Sequence, residues 1–555
     1  MFTHMKLFVF LMVIMTQSSF ANVSIKNGNF FVGFRYMAYS GGMNPKIQTS
    51  YNSKTDYKGY FGPGWGSLYE VSLEPMADGS IVVNEYGGGA ENIFTPVNFD
   101  KKELDRAIKM ITKAAKKYGS IGSSIEKYQN KLRTNATFRN DEWSKFVKKG
   151  YLKPRKLKPN TRLISNKFSY QFITKIRKGY VRKYDSGKIE IFNNAGKLIE
   201  VRDKNQNYVK FKYDKKGNLR LIKDNLNRKM KFTFDNKGHI VRIDGEDKQY
   251  ATFAYNSKGE LVKSRDSEGG VFGFEYSKDG RFNLTKIIYT DGSYEEIKYH
   301  PKSLYEHVKS VKDRDGVLTS YQYEFDKKQR GHFKVDVDIK NKKGRRLTQS
   351  SYEYFLKYKK NGEEWTYRIK SSVDGIVTDT VYNECCGLPL KIRKGNNETT
   401  FAYDKKGHVT RKEDEREVTK LTYHPSFGKV ASVTKYSKLN KGKVTWSKFK
   451  YDKKGNLVFA KNSEKKGVSL FYDKQGRIAS MFDQKKRRID FQYNSDSKPI
   501  KISDSKLGSM RVSYNKSGQI EKVDSSGGRK VAVQVTDAFQ NLLAIIRPAG
   551  VGLTR

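Results

Sequence analysis

Seven histidines, two cysteines and a recurrent aspartate are the residues of this chain whose chemistry merits weighing first. His239 and His408 fill the same slot, just after Gly238 and Gly407, and His300 and His424 share the phrase Tyr-His-Pro, so these four read as turn residues. His4 lies in the N-terminal apolar leader, and His307 and His332 have no metal-ligand spacing around them. Cys385 and Cys386 are adjacent. They can close a strained vicinal disulfide in an oxidising compartment, or simply serve as two small residues in a turn before Gly387 and Pro389. Two cysteines are too few for a metal site by themselves. No His-Glu-x-x-His, Gly-x-Ser-x-Gly or phosphate-binding P-loop pattern occurs. A carboxylate pair for glycoside hydrolysis could still be assembled from distant positions, but no motif marks one. The expectation is a non-enzymatic protein without a cofactor.

The aspartates that recur do so in a phrase. Tyr213–Leu219 reads YDKKGNL, Tyr451–Leu457 repeats it, and Tyr403–Val409 reads YDKKGHV. Related phrases open at Phe192, Tyr213, Phe234, Tyr255 and Tyr276, each 21 residues after the last. The same beat links Tyr382 to Tyr403, and Tyr451 to Tyr472, Tyr493 and Tyr514. A second marker, an Asp about ten residues after the aromatic, recurs at Asp203, Asp224, Asp244, Asp266, Asp414, Asp483, Asp504 and Asp524. Each repeat therefore holds two turns and two short strands. Phe211, Tyr213, Leu219 and Leu221 alternate with polar residues, which predicts one apolar sheet face. Within the turn, Asp214, Asp404, Asp452 and Asp473 are placed to accept local backbone N–H groups. Gly217, Gly407, Gly455 and Gly476 stand where a type I turn with a G1 bulge needs the left-handed conformation. Tyr403 and Tyr472, like Tyr213 and Tyr451, read as core anchors. These carboxylates shape backbone and are not catalytic candidates. A single hairpin cannot bury its apolar face, whereas a stacked array can.

Composition agrees with a β-rich chain. It has 36 Tyr, 33 Phe and 46 Gly, and a mean hydropathy of -0.77. Lys6 and the apolar run Leu7–Met15, followed by Ser19-Phe20-Ala21, predict a signal peptide over residues 1–21 and an exported protein that is periplasmic, cell-surface or secreted. The net charge is +50, from 109 Lys and Arg against 59 Asp and Glu. That excess favours anionic polysaccharide, lipopolysaccharide or a membrane surface as partners. The turn pairs Lys215/Lys216, Lys405/Lys406 and Lys453/Lys454 are the candidate anion contacts. Nucleic acid is disfavoured, because the aromatics keep the repeat beat and no nucleic-acid module is present.

The aromatic-Asp-x-x-Gly unit at this spacing resembles the YD repeats of the RHS family, which includes bacterial RHS shells, the C components of Tc toxins and the teneurins. Phe61-Gly62-Pro63-Gly64-Trp65, with Tyr51-Asn52-Ser53 before it, resembles the opening domain of bacterial RHS shells. The resemblance implies a mainly β fold, an antiparallel ribbon spiralling into a shell. The family's self-cleaving members carry an Asp-Pro-x-Gly type signature, and this chain has no Asp-Pro dipeptide. The array is short, so an open or partial shell is expected rather than a closed cage with a toxin domain. The expected division is a signal peptide at 1–21, an RHS-type β domain at 22–99, a basic helical insertion and linker at 100–163, the YD array at 164–535, and a degraded last repeat and tail at 536–555. In the insertion, Asp100 and Glu103 predict a capping box opening a helix. Leu104, Ala107, Ile108, Ile111, Ala115 and Tyr118 fall on its apolar face, to be buried against the β shell or laid on a membrane. Function is expected to be envelope or extracellular binding of anionic glycans or surfaces, or a structural role. The alternatives are a shell or carrier component of a toxin or effector system with separately encoded protein cargo, and, less favoured, a carbohydrate-active enzyme.

Overall fold

The computed structural model describes residues 22–546 apart from 88, 99, 120, 122–123, 166–170, 302–305, 360–363, 385–386, 441 and 515–519. The predicted signal peptide and the Cys385–Cys386 pair lie outside the described residues.

One hairpin shows how the ribbon is built. Tyr208–Tyr213 pairs with Leu219–Asp224, Phe211 opposite Ile222 and Tyr213 opposite Leu219, with a bulge between Lys212 and Tyr213. The bulge shifts the side-chain alternation by one residue. Ile222 therefore joins Phe211 and Leu219 in the core, while Leu221 pairs with Lys212 on the other face. The alternation read from the sequence placed Leu221 inside, because it did not count the extra residue. The same bulge recurs in successive hairpins, for example at Phe234, Tyr255, Tyr403, Tyr472 and Tyr514.

These hairpins join into one antiparallel ribbon of 36 strands, from Ser72–Pro75 to Ile520–Ser525. No ladder joins the two end strands among the described residues, so the sheet is open. The β domain expected at 22–99 is divided by the fold. Its first part is a four-stranded sheet of Asn22–Ser24, Asn29–Ala38, Lys46–Asn52 and Trp65–Ser67. Its second part, Ser72–Pro96, is ribbon, because Ala90–Pro96 pairs with Arg162–Ser165 across the insertion.

The insertion holds α1 (Lys101–Lys117), α2 (Ile125–Thr134) and α3 (Ala136–Lys148). Asp100 caps α1 by accepting from the Lys102 N–H at 2.9 Å, while the Glu103 carboxylate accepts from Arg155 at 2.7 Å. The apolar stripe of α1 is buried with Met76, Ala77 and Val82 of the ribbon and with Trp143 and Phe146 of α3. Tyr118 is not part of it and stays exposed.

The degraded last repeat expected at 536–555, and the array's expected end at residue 535, are corrected. The β structure ends at Ser525, and Gly528–Ile546 is a helix, α4. No Gly or Pro interrupts Arg529–Ile546, and Val535, Ala538, Leu542 and Ile545 follow helical spacing. Val535 and Ile545 are buried, and Ile545 packs with Val433, Phe449, Leu470 and Met481.

Candidate functional site

Each turn phrase is a joint with three working parts. Asp404 Oδ1 accepts from the N–H groups of Lys406 and His408 at 2.8 and 2.9 Å. Asp452 and Asp473 make the same pair of bonds to residues two and four further on. Asp214 accepts from the Asn218 N–H, which holds its carboxyl below the usual carboxylate range. Gly217, Gly407, Gly455 and Gly476 have φ between +76° and +84°. In the alternate turns that left-handed place is taken by residues such as Gln206, Asn227 and Lys486. The tyrosine is the third part. Tyr213 Oη donates to the carbonyl of Leu198 at 2.7 Å, and Tyr403, Tyr451 and Tyr472 donate in the same way to Pro389, Val430 and Leu457. Every such bond reaches the preceding hairpin, so the hydroxyls form a ladder along the array. Burial pushes Tyr451 and Tyr472 up to about 12, which keeps them protonated donors.

The joints also hold successive coils together. Lys204 Nζ donates to the carbonyl of Gly455 at 2.8 Å, across 251 residues or about twelve repeats. Asn207 Nδ2 donates to Gln475 O at 3.0 Å, and Asn456 Nδ2 to Asn205 Oδ1 at 3.2 Å. Further along, Arg228 Nη1 lies 3.7 Å from Asp496 Oδ1. The turns at 184–228 therefore form one lip of a seam and the phrases at 404–498 the other. Lys429 Nζ also donates to Gly455 O at 2.8 Å. Burial, with this second ammonium beside it, lowers Lys204 to about 8. Sequence reading missed Lys204, Asn205, Asn207 and Lys429, since residues a whole coil apart show no pairing signal in one chain.

The motif Phe61–Trp65 closes the other lip of the first coil. Gly62 meets the Gly259 carbonyl so closely that a Cβ would sit 2.4 Å from it. Gly64, at φ +78°, turns the backbone under the ring of Tyr51. Phe61 packs against Phe253 with ring centres 5.0 Å apart. Trp65 packs against Phe274 at 5.1 Å, and its Nε1–H donates to Tyr276 Oη at 2.8 Å. Tyr276 in turn donates to Leu261 O. The motif thus threads the N-terminal sheet into the tyrosine ladder.

What remains is the inner face. Phe30, Val32 and Phe34 of the N-terminal sheet fill it beneath the strands holding Phe211, Phe232, Phe253 and Ile287. α4 covers it beneath Leu470 and Met481. Between these fillings the face continues with less cover: Ile369, like Ile25, packs against the cluster around Tyr354, and beyond it Thr380, Ile392 and Thr399 are half-buried. Tyr354, which is buried, stands opposite Ile369, followed across the strands by Thr380, Ile392 and Thr399. No apolar side chain from Glu364 to Glu413 is buried among the described residues. On the outside, Lys215, Lys216, Lys405, Lys453 and Lys454 are exposed, and Lys406, also exposed, has its Nζ turned to the Pro425 carbonyl at 3.1 Å. His408 is buried at the seam, its Nδ1 2.9 Å from Asp404, while His332 bridges Asp326 and Glu353. No group of three or more His, Cys, Asp or Glu fit to hold a metal occurs among the described residues.

The teneurin YD-shell family model matches residues 392–534. Residues 392–534 are thus a YD-shell array of the teneurin type. Residues 21–93 match a domain of unknown function, DUF6531. Among solved structures, TcdB2-TccC3-TEV is similar over 90% of this chain and 30% of its own, at 11% identity and a TM-score of 0.39. The Photorhabdus luminescens Tc holotoxin pore is similar over 89% and 29%, at 11% identity and 0.38. A porin-like protein from Bacteroides uniformis is similar over 44% and 88%, at 10% identity and 0.15. The chain thus spans about 30% of the length of the first of these. No curated protein matches it.

Proposed function

We propose that this YD-shell protein is a shell or carrier component of a toxin or effector system, holding a separately encoded polypeptide against its inner face. The thinly covered stretch of that face carries the reading. Among the described residues, the N-terminal sheet and α4 fill the two ends of the ribbon, while Thr380, Ile392 and Thr399 between them stay half-exposed. That row mixes aliphatic and hydroxyl side chains and suits a polypeptide better than a polyanion. A photo-crosslinking residue at Thr380, in the full chain isolated from its source, should capture a second polypeptide that resists trypsin until the shell is unfolded. The same residue at Arg393, on the outer face, should not. Absence of a second polypeptide, or equal capture from both positions, refutes the proposal.

A second reading, contact with anionic polysaccharide or lipopolysaccharide, is favoured by the exposed lysines of the turn phrases. It requires binding at low salt that weakens steeply as charges are screened, and is discarded if low-salt binding is absent. Neither reading needs a catalytic residue.

A further inference from the structure

The three-helix insertion stands outside the ribbon, and its outward surface is unlike the rest of the molecule. Its apolar stripe is already buried with Met76, Ala77 and Val82, so α1 has no apolar face left to lay on a membrane. What it presents is charge. Asp100–Leu163 carries 19 Lys and Arg against 6 Asp and Glu, a quarter of the chain's net charge in about an eighth of its length. Where α1 and α3 end side by side, Tyr118 and Tyr151 stack with ring centres 3.5 Å apart and planes 8° apart. They are 40% and 38% exposed although stacked on each other. The adjoining Lys116, Lys117, Lys149 and Lys153 are exposed and form no ion pair among the described residues. Lys117 Nζ lies 5.4 Å from the centre of the Tyr118 ring.

A soluble polyanion would engage the lysines and leave the ring pair in water. A lipid surface takes both. Tyrosine rings settle at the level of the headgroups, and lysines beside an anionic leaflet each add attraction. We propose that the Tyr118–Tyr151 tip and its lysines dock the shell on an anionic lipid surface, with the ribbon held above it. This docking is independent of what the inner face carries.

The test uses the full chain and vesicles of equal parts phosphatidylglycerol and phosphatidylcholine, against vesicles of phosphatidylcholine alone. Co-flotation is expected with the first and not the second, and should weaken as salt is raised. Tyr118→Ala with Tyr151→Ala should reduce binding at least about tenfold at fixed salt. Each of Lys116→Gln, Lys117→Gln, Lys149→Gln and Lys153→Gln should reduce it about fivefold. Lys327→Gln with Lys328→Gln, exposed on the ribbon, should leave it unchanged. Tyr118→Trp keeps an aromatic ring, and its emission should shift to the blue on the anionic vesicles, a readout that fold stability alone does not move. The proposal is overturned if anionic vesicles do not bind at low salt. It is overturned as well if the tyrosine variant binds like the parent, or if affinity for soluble dextran sulfate depends on the tyrosines as strongly as vesicle binding does.

Discussion

Gly476→Ala and Gly238→Ala change the same glycine of the same turn phrase, yet they should differ in cost because only one touches the seam. Both residues have a left-handed backbone, at φ +79° and +90°. An alanine there costs about 1–2 kcal/mol in either turn. At Gly238 that is the whole cost, since a Cβ meets nothing within 4 Å. At Gly476 the new Cβ would lie 2.1 Å from Asn205 Nδ2, 2.3 Å from its Cγ and 2.9 Å from its Cβ. Turning the end of the amide cannot relieve contact with all three atoms, so the Asp203–Asn207 turn must withdraw. Withdrawal breaks the bonds from Asn456 Nδ2 to Asn205 Oδ1 and from Asn207 Nδ2 to Gln475 O. At about 1 kcal/mol each, the seam adds about 2 kcal/mol, equivalent to about thirtyfold in the equilibrium for local opening. Hydrogen exchange, read on peptides covering residues 198–213 and 467–483, should accelerate by about that factor in Gly476→Ala relative to Gly238→Ala. Equal exchange in the two variants would refute the idea that the coils are held together through their turns.

Three further outcomes follow from the geometry. Trp65→Phe keeps most of the ring packing but removes the bond to Tyr276 Oη, and should lower stability by about 1–3 kcal/mol in urea unfolding. Arg182 is buried between Glu85 and Glu190 at 2.6 and 3.2 Å. Arg182→Ala takes the guanidinium from Glu85 and leaves Glu190 with Lys188 and Tyr184 alone, and should cost about 3 kcal/mol by the same assay. Burial raises the pKa of Glu70, opposed by bonds from the Tyr60 N–H and the Tyr57 hydroxyl. A raised acid pKa in the folded state means that stability is greatest below the unfolded value near 4.5 and falls as pH rises toward the folded pKa. Glu70→Gln should flatten that part of the pH profile, and an unaltered slope would show that Glu70 is not its source.

Local order was readable from the letters because it is local chemistry. The 21-residue beat, the Asp that caps each turn and the Gly that takes positive φ all act within five residues. The Phe61–Trp65 motif was recognisable too, although the letters did not show that it reaches Gly259 and Tyr276. Leu221 was misplaced because a bulge costs no letter of its own. The strands at Ser72–Pro96 were assigned to the opening domain because their ribbon partner, Arg162–Ser165, lies beyond three helices. α4 was mistaken for a worn repeat because expectation carried the strand period past the last glycines. The seam was invisible for a deeper reason. Which turns meet after one coil depends on the twist summed over about twelve hairpins, and no single residue encodes that sum.

The tyrosine ladder and the seam divide the molecule mechanically. A ribbon whose hairpins touch only their neighbours behaves as a one-dimensional chain of coupled units, each able to melt without its distant fellows. Hairpins under the seam lose that freedom, since opening one must also release a partner about 250 residues away. The stretch from Glu364 to Glu413 has the ladder bond from Tyr403 to Pro389 and meets distant parts of the chain at its ends, Glu364 with Lys26 and His408 with Asp185, but none of its apolar side chains is buried among the described residues. Its middle therefore has less to break before it opens than the hairpins under the seam, a softer arc in a clamped spiral. For the cargo proposed above, that arc would be the easier place to enter or leave.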